Sequence, residues 1–140
     1  MKKGHVLLLG FGAGGMWIVK PLREAGHDVI VVDDDPAVIR ELQHAGIPWI
    51  YGDGSDLKTL EQAGARDAQL IIAAMRRLNA AERVLKYAKD IPVIVRVFEA
   101  EHARRVEALG GTAVLNSMAA ADTFMEWFVK SGRAKDAPTA

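Results

Sequence analysis

Three glycines with the spacing G-x-G-x-x-G, namely Gly10, Gly12 and Gly15, directly follow the apolar residues LLL. Between a strand and a helix, this spacing lets backbone N–H groups and the positive end of the helix dipole approach a phosphate. Gly10 would permit the tight turn, Gly12 the close approach of a pyrophosphate, and Gly15 close packing of the helix on the strand. Glycine is common, so a lone match is weak. The pattern indicates either a phosphate cradle or a simple tight bend.

A carboxylate ends the next apolar run, VIVVD, at Asp33. In a dinucleotide-binding unit, an acidic residue at this place accepts hydrogen bonds from the ribose hydroxyls. Asp34 and Asp35 add negative charge that should repel a 2′-phosphate, which favours NAD or an adenine nucleotide over NADP. The alternative is that DDDP only caps the next helix, and Asp35 before Pro36 has the form of such a cap.

Short β-branched runs alternate with longer segments of helical period along the whole chain. Predicted strands cover 5–10, 28–33, 48–51, 69–75, 92–98 and 112–116, and predicted helices cover 14–25, 36–45, 56–63, 79–89, 100–109 and 119–130. This alternation predicts an α/β fold, a Rossmann-like doubly wound six-stranded parallel sheet of order 3-2-1-4-5-6 in a single domain. The first, second, fourth and fifth strands are almost entirely apolar, which predicts burial on both faces.

The composition excludes several classes of function. With 18 basic and 18 acidic residues among 140, the chain lacks the cationic excess typical of nucleic-acid binding. It contains no cysteine, and its apolar runs are too short to insert in a membrane, so we expect a cytoplasmic domain. We assign this domain to residues 1–131 and expect a flexible tail at 132–140. The four histidines show no ligand spacing, so no metal site and no catalytic residue is predicted.

The stretch YGDGSDLKTLEQAGARDAQLIIAAM at 51–75 narrows the interpretation. It resembles the RCK N-terminal domain, also called TrkA-N, the regulatory nucleotide-binding domain of potassium channels, potassium uptake systems and Kef-type potassium/proton antiporters. The glycines of 10–15, VVD ending at Asp33, GDGSDLKTLEQAG at 52–64 and VRV around Arg96 match the family's motifs in order. The resemblance covers about residues 4–118.

The resemblance implies a set of nucleotide-binding residues. Gly10 to Gly15 would hold the phosphates and Asp33 the adenosine ribose. Asp53 would lie beside the adenine and ribose, or would only be a turn residue. Arg96 would help to close the site, or would only form a structural ion pair. The candidate cofactor-binding residues are Gly10, Phe11, Gly12, Ala13, Gly14, Gly15, Asp33, Asp34, Asp53, Ala74, Met75 and Arg96.

The chain departs from the family pattern at three places. Many members have Arg or Gln at the position of Ala13, which can reach a phosphate, so binding could be weaker here or favour another nucleotide. Pro21 falls inside the first predicted helix, where proline usually bends the axis. Arg76 and Arg77 stand where the family commonly has acidic residues, either as a solvated surface or as a substitute anion contact.

The implied function is regulatory: NAD(H) or an adenine nucleotide (ATP, ADP or AMP) would control a potassium channel or transporter subunit at the inner face of the membrane. The implied assembly is a homodimer or a higher homo-oligomer. The apolar residues of the last helix, FMEWFV at 124–129, support pairing, with one face covering the sheet and the rest a partner. The alternative is that the whole face packs on its own core.

No catalytic constellation accompanies the glycine motif, so we do not expect an enzyme. Two other functions remain open at this point: an NAD-dependent oxidoreductase or a cofactor-binding fragment of one, and an interaction scaffold with a vestigial pocket.

Overall fold

The structure, a computed structural model, describes residues 4–74 and 77–135. Its strands are β1 (Val6–Leu9), β2 (Val29–Asp33), β3 (Trp49–Tyr51), β4 (Leu70–Ala74), β5 (Val93–Val97) and β6 (Thr112–Leu115). Its α-helices are α1 (Met16–Glu24), α2 (Pro36–Ala45), α3 (Leu57–Gln62), α4 (Leu78–Tyr87), α5 (Ala100–Ala108) and α6 (Asn116–Lys130). Short 3₁₀ helices at Gly12–Gly15 and Ala65–Asp67 complete the described elements.

The six strands form one sheet in the order β3-β2-β1-β4-β5-β6, and every neighbouring pair is parallel. The predicted fold class and strand order are confirmed. The order in which strands are added to the sheet reverses between β1 and β4, because β2 and β3 lie on one side of β1 while β4 to β6 lie on the other. Ligands of open α/β sheets bind at such a switch point, outside the carboxyl ends of the strands.

Two hydrophobic cores lie on opposite faces of the sheet, and β1 contributes to both because its side chains alternate. Leu7 and Leu9 pack on one face with Leu60 of α3 and Val84 of α4. On the other face, buried residues of β1 and β2 pack with those of α1 and α2, namely Val6, Leu8, Val19, Val29, Val31, Val38, Ile39 and Leu42. The centre of the sheet is therefore covered on both sides, as the apolar sequence of β1 and β2 predicted.

The prediction of burial on both faces is only partly correct for β4 and β5. Ile71 and Ala73 are buried, whereas Leu70, Ile72 and Ala74 on the opposite face are only half-buried. The same alternation occurs in β5. The helices α1 and α2 pack over β1 and β2, so this face of the sheet is progressively more exposed toward β6.

The last helix corrects a second expectation. No residue of α6 is buried, so the prediction that one of its faces covers its own sheet is wrong. The reason lies in the connection: β6 ends at Leu115 and α6 begins at Asn116, with no intervening loop that could turn the helix back onto the sheet. The alternative that α6 packs wholly on its own core is excluded by the same exposure.

Local signals fixed both ends of α2. Asp35 caps α2 by accepting a hydrogen bond from the Ala37 N–H at 2.9 Å, with Pro36 as the first helical residue. Gly46 ends α2 in the left-handed conformation, with φ of 69°. Pro21 lies within α1, which continues to Glu24.

None of the described helices combines the length and apolar character that crossing a bilayer requires. The boundary predicted at residue 131 follows the end of α6 at Lys130. Of the tail predicted at 132–140, residues 136–140 lie outside the described part of the chain, and its flexibility stays a prediction.

Candidate functional site

The carboxyl edge of the sheet brings together the residues that the sequence singled out. Gly10 follows β1, Asp33 ends β2 and Ala74 ends β4. Arg96 pairs in register with Ala74 on β5. Asp53 lies two residues beyond β3. Parallel strands place their carboxyl ends at one edge, so residues up to 86 positions apart in the sequence converge here.

The glycine turn is tight where it touches the sheet. Gly10 has a φ of 72°, and a Cβ built on it would lie 3.0 Å from the carbonyl oxygen of Ala74. A Cβ on Gly15 would lie 3.1 Å from the Cβ of Phe11 and 3.2 Å from Cδ2 of Leu8. Both positions therefore favour glycine, for the turn at Gly10 and for close packing at Gly15.

The outer part of the turn is open. Gly12 has a φ of 60°, and a Cβ built on Gly12 or on Gly14 would meet no atom within 4 Å. The 3₁₀ helix Gly12–Gly15 leads directly into α1, so the positive end of the helix dipole lies at the turn. Backbone N–H groups and free space together fit an anion such as a phosphate.

Asp33 connects the turn to the second strand. Its carboxylate accepts hydrogen bonds from the Gly12 N–H at 3.0 Å and from the Asp35 N–H at 2.9 Å, through different oxygens. Asp33 is buried, with 5% of its surface exposed. A carboxylate offers about four acceptor positions, so two remain for ribose hydroxyls. Asp33 thus organises the turn and also keeps the capacity to bind a sugar.

The neighbouring acidic residues have separate roles. Asp35 caps α2, as the sequence suggested, and Asp34 is exposed. The helix cap and the candidate ribose acceptor are therefore different residues of DDDP, and the two interpretations of this motif are compatible.

Asp53 lies in a turn after β3. Its Oδ1 accepts hydrogen bonds from both the N–H and the hydroxyl of Ser55, each at 2.8 Å. These bonds hold the pKa of Asp53 below its ordinary value, with smaller contributions from the charges of Arg77 and Arg83. The structure thus shows the turn role, while a ligand contact by Asp53 stays a prediction.

Arg96 approaches the glycine turn from β5. Its guanidinium lies 5.9 Å from the ring centroid of Phe11 and 5.0 Å from that of Phe98. The Nε atom of Arg96 is buried and has no hydrogen-bond partner among the described residues. Among residues 4–74 and 77–135, no carboxylate forms an ion pair with Arg96, so the ion-pair interpretation finds no support in this part of the chain.

Phe98 is the residue that the sequence interpretation missed. Its position offered a signal, because residues two apart on a strand share a face, and Phe98 follows Arg96 by two.

Several sequence-derived candidates contribute differently or lie outside the described residues. The carbonyl of Ala74 faces Gly10, as described above. Met75 and Arg76 are outside the described part of the chain. Arg77 is exposed at the start of α4 and contributes positive charge near Asp53.

Three of the histidines make side-chain contacts. Buried His5 makes a hydrogen bond through Nε2 to the Ala63 carbonyl at 2.9 Å, Nδ1 of His27 lies 3.3 Å from the side-chain amide of Gln69, and His102 lies 3.5 Å from Glu99. None of these contacts is with a candidate nucleotide-binding residue.

The sequence comparisons agree on one family. The family model of the TrkA-N domain matches residues 6–117. The putative K(+) efflux antiporter KefB of Alkalimonas amylolytica is 31% identical over 115 residues, which cover 79% of this chain and 17% of KefB. The glutathione-regulated potassium-efflux system protein KefC of Salmonella paratyphi B is 31% identical over 133 residues, covering 92% of this chain and 20% of KefC. The chain therefore spans about one fifth of the length of these relatives.

Solved structures share the fold. The TrkA-N domain of the Escherichia coli inner membrane protein ybaL superposes with a TM-score of 0.81 at 20% identity, covering 90% of this chain and 97% of that domain. The Kef C-terminal domain of Shewanella denitrificans, solved with AMP bound, superposes with a TM-score of 0.74 at 24% identity, covering 92% of this chain and 82% of that domain. The GsuK channel bound to NAD superposes with a TM-score of 0.70 at 22% identity, covering 81% of this chain and 21% of the channel chain. The structure of GsuK bound to ADP also gives a TM-score of 0.70, at 21% identity, covering 81% of this chain and 31% of the GsuK chain.

The family model matches well over half of the chain, and its range contains the glycine turn, Asp33, Asp53 and Arg96. By these sequence matches, together with the six-stranded sheet and the glycine turn at its carboxyl edge, the chain belongs to the TrkA-N domain family.

Proposed function

We propose that the chain is a regulatory domain that binds NAD(H) or an adenine nucleotide (ATP, ADP or AMP) and controls potassium transport. One observation carries this proposal: the carboxylate of Asp33 bonds to the N–H of Gly12, beside a turn with space for a phosphate. A phosphate cradle and a ribose acceptor thus lie next to each other. The AMP, NAD and ADP complexes of proteins with the same fold support this choice of ligands.

Each candidate residue has a role in this proposal. The backbone of Gly10 to Gly15 holds the phosphates, and Asp33 holds the ribose. Asp53 keeps Oδ2 available beside the adenine and ribose, since both of its described hydrogen bonds go to Oδ1. The carbonyl of Ala74 lines the floor of the site, and Arg96 supplies positive charge.

The exposed carboxylate of Asp34 disfavours a 2′-phosphate at the ribose, so NADH should bind more tightly than NADPH. A ligand that binds only the folded state raises its stability by RT ln(1 + [L]/Kd). We therefore expect NADH to raise the Tm of the chain more than NADPH at equal concentration. Asp34→Asn should narrow this difference. An equal shift with both cofactors would contradict the role of the acidic residues, and no shift with any adenine nucleotide would contradict the site.

The nucleotide acts here as a ligand, not as a reagent. Hydride transfer needs a substrate pocket beside the nicotinamide and a group that moves a proton. The side chains at the described carboxyl edge make structural contacts instead. Asp33 accepts hydrogen bonds from backbone N–H groups, Asp53 accepts them from Ser55, and Arg96 lies against two aromatic rings. A regulatory ligand requires only that two conformations bind it differently.

The membrane partner follows from the relatives. KefB and KefC carry names of potassium-efflux proteins and are about six and five times as long as their matched segments. We infer that this chain acts on a membrane potassium channel or transporter subunit from the cytoplasmic face. Recovery of the tagged chain with the inner membrane in cell fractionation, lost when the transporter is deleted, would support this placement.

The assembly is a homodimer, or a higher oligomer built from it. α6 exposes a set of large apolar side chains: Met118, Phe124, Met125, Trp127, Phe128 and Val129. The sheet face next to it is also incompletely covered, because Ile72 and Ile94 pair in register and are half-buried, and Val114 on the same face is 40% exposed. A second copy of α6 could cover this face, and twofold symmetry would satisfy both surfaces at once.

The dimer also gives the nucleotide a route of action. Arg96 pairs in register with Val114, so the candidate phosphate contact adjoins the incompletely covered sheet face. A nucleotide that changes the position of Arg96 would act directly beside the dimer contact. Binding at the site and pairing of the chains are then linked, and each changes the other by the same free energy.

Replacing Trp127, which is 70% exposed, by Glu should convert the dimer to a monomer. A carboxylate placed in a closely packed interface must lose its hydration without a partner, which costs several kcal/mol. Sedimentation equilibrium should give twice the 15.2 kDa chain mass for the wild type and the single mass for the variant.

Leu57→Glu is the matched control, because Leu57 of α3 is 55% exposed and α3 packs on the opposite face of the sheet. It should leave the mass unchanged. A monomeric wild type, or a Trp127→Glu variant that pairs as well as the wild type, would contradict the dimer.

A further inference from the structure

A stack of three side chains crosses the carboxyl edge of the sheet. Phe11 extends from the glycine turn, Arg96 from β5 and Phe98 from the segment that follows β5. The guanidinium of Arg96 lies within cation–π distance of both rings, at 5.9 Å and 5.0 Å from their centroids. Phe11 and Phe98 are 87 residues apart in the sequence, and both rings lie near the same arginine.

The ring contacts leave the Nε donor of Arg96 without an acceptor among the described residues. The Nε atom is buried and has no partner, and no carboxylate pairs with the guanidinium within the described ranges. A buried donor without an acceptor is unfavourable, and the charge of this half-buried arginine is not neutralised by any carboxylate of the described residues. A phosphate at the neighbouring glycine turn would supply the missing negative charge.

The geometry of a guanidinium explains the use of two rings. Rings contact the faces of the planar group, while its N–H bonds lie in the plane and point outward. Stacking therefore limits the rotamers of Arg96 without occupying its donors. An arginine already confined before the ligand arrives loses less entropy on binding a phosphate.

Phe98 contributes to the stack although it is poorly placed for the core. It is 46% exposed, so its burial contributes less to folding than that of the neighbouring Val97, which is 3% exposed. At this position Phe98 instead lies against Arg96.

We propose that Phe98, acting with Phe11, is a positioning residue that holds the guanidinium of Arg96 at the glycine turn, where it binds a phosphate of the nucleotide. This inference rests on the proposed nucleotide site. Phe98 itself does not contact the ligand; it acts through Arg96. Removal of the Phe98 ring should therefore weaken the binding of phosphate-bearing ligands and leave the binding of adenosine unaffected.

Calorimetric titration of the folded chain with ADP, AMP, NAD and adenosine tests the proposal. Phe98→Ala should weaken the phosphate-bearing ligands about three- to tenfold, the range of an exposed to partly desolvated cation–π contact. Phe98→Leu should show the same loss because it keeps apolar volume but lacks the ring. Phe98→Tyr should restore the wild-type affinity.

A double-mutant cycle with Arg96→Met separates positioning from general packing. In the Arg96→Met background, Phe98→Ala should cause no further loss of affinity for the phosphate-bearing ligands. Circular dichroism and the urea midpoint establish that each variant is folded.

The inference would be overturned if Phe98→Ala bound ADP as tightly as the wild type, if Phe98→Leu retained full affinity, or if the loss persisted without Arg96. A wild type that binds none of these nucleotides would instead overturn the proposed function. Wild-type binding that depends on Arg96 but not on Phe98 would overturn the positioning role alone.

Discussion

Asp33→Ala is expected to lower the free energy of unfolding by about 2 to 4 kcal/mol, because two backbone N–H groups lose a charged acceptor. These are the N–H groups of Gly12 and Asp35, which bond to the carboxylate at 3.0 and 2.9 Å. Nucleotide affinity should fall about tenfold or more, since the ribose acceptor is lost and the glycine turn is released. Urea unfolding and calorimetric titration measure the two effects.

Asp34→Ala is the matched control for stability. Asp34 is adjacent and exposed, with no hydrogen bond among those of the described residues, so its replacement should change stability by no more than about 0.5 kcal/mol. Asp33→Asn adds a second comparison. The asparagine amide can accept hydrogen bonds through one oxygen only, and its NH₂ group must face a backbone N–H donor. The Asp33→Asn variant should therefore also be less stable than the wild type. Full stability and affinity in both Asp33 variants would refute the bridging role of this carboxylate.

Gly12→Ala is expected to weaken nucleotide binding about 10- to 100-fold, as for an extra methyl group in a closely packed contact. A Cβ at Gly12 would meet no protein atom within 4 Å, so the methyl group would occupy the space available to the phosphates. The φ of 60° adds a conformational cost of about 1 to 2 kcal/mol to folding. The loss of affinity should thus exceed what the change in stability explains.

Gly14→Ala separates the two effects. Gly14 is equally open, but its backbone is not in the left-handed region. Alanine in this 3₁₀ turn should leave the stability unchanged or raise it by about 0.5 kcal/mol. Equal nucleotide affinities of Gly12→Ala and the wild type, measured by calorimetry on folded protein, would show that no phosphate lies at Gly12.

The features that the sequence predicted well depend on local chemistry. Strand order followed from the alternation of apolar runs and helical segments, and the start of α2 followed from Asp35 and Pro36. Asp33 was placed at the carboxyl edge because the residue that ends a parallel strand is brought there by the topology. These inferences needed only the residue types and their spacing.

The features that the sequence did not predict depend on distant contacts. The stack of Phe11, Arg96 and Phe98 joins segments that lie 85 or more residues apart in the sequence, and no periodic pattern indicates it. The exposure of α6 had a different cause. Its apolar residues indicated a buried face, but the direct junction with β6 keeps that face off its own sheet.

Asp53 illustrates an intermediate case. The motif GDGS at 52–55 indicated a turn, and the hydrogen bonds from Ser55 account for it fully. A turn of this kind gives no information on a ligand contact, because the same residues would be needed with or without the nucleotide. The remaining oxygen of Asp53 is what the binding experiments must examine.

The proposed regulatory function depends on a nucleotide at the glycine turn. Isothermal titration of the folded wild-type chain with NADH, NAD, ATP, ADP and AMP tests it most directly, with cooperative urea unfolding as proof of the fold. We expect saturable binding of at least one of these nucleotides, with one molecule per chain and with loss of affinity in Asp33→Ala and Gly12→Ala. If a folded sample gave no heat of binding with any of the five nucleotides, nucleotide binding at the glycine turn would be contradicted.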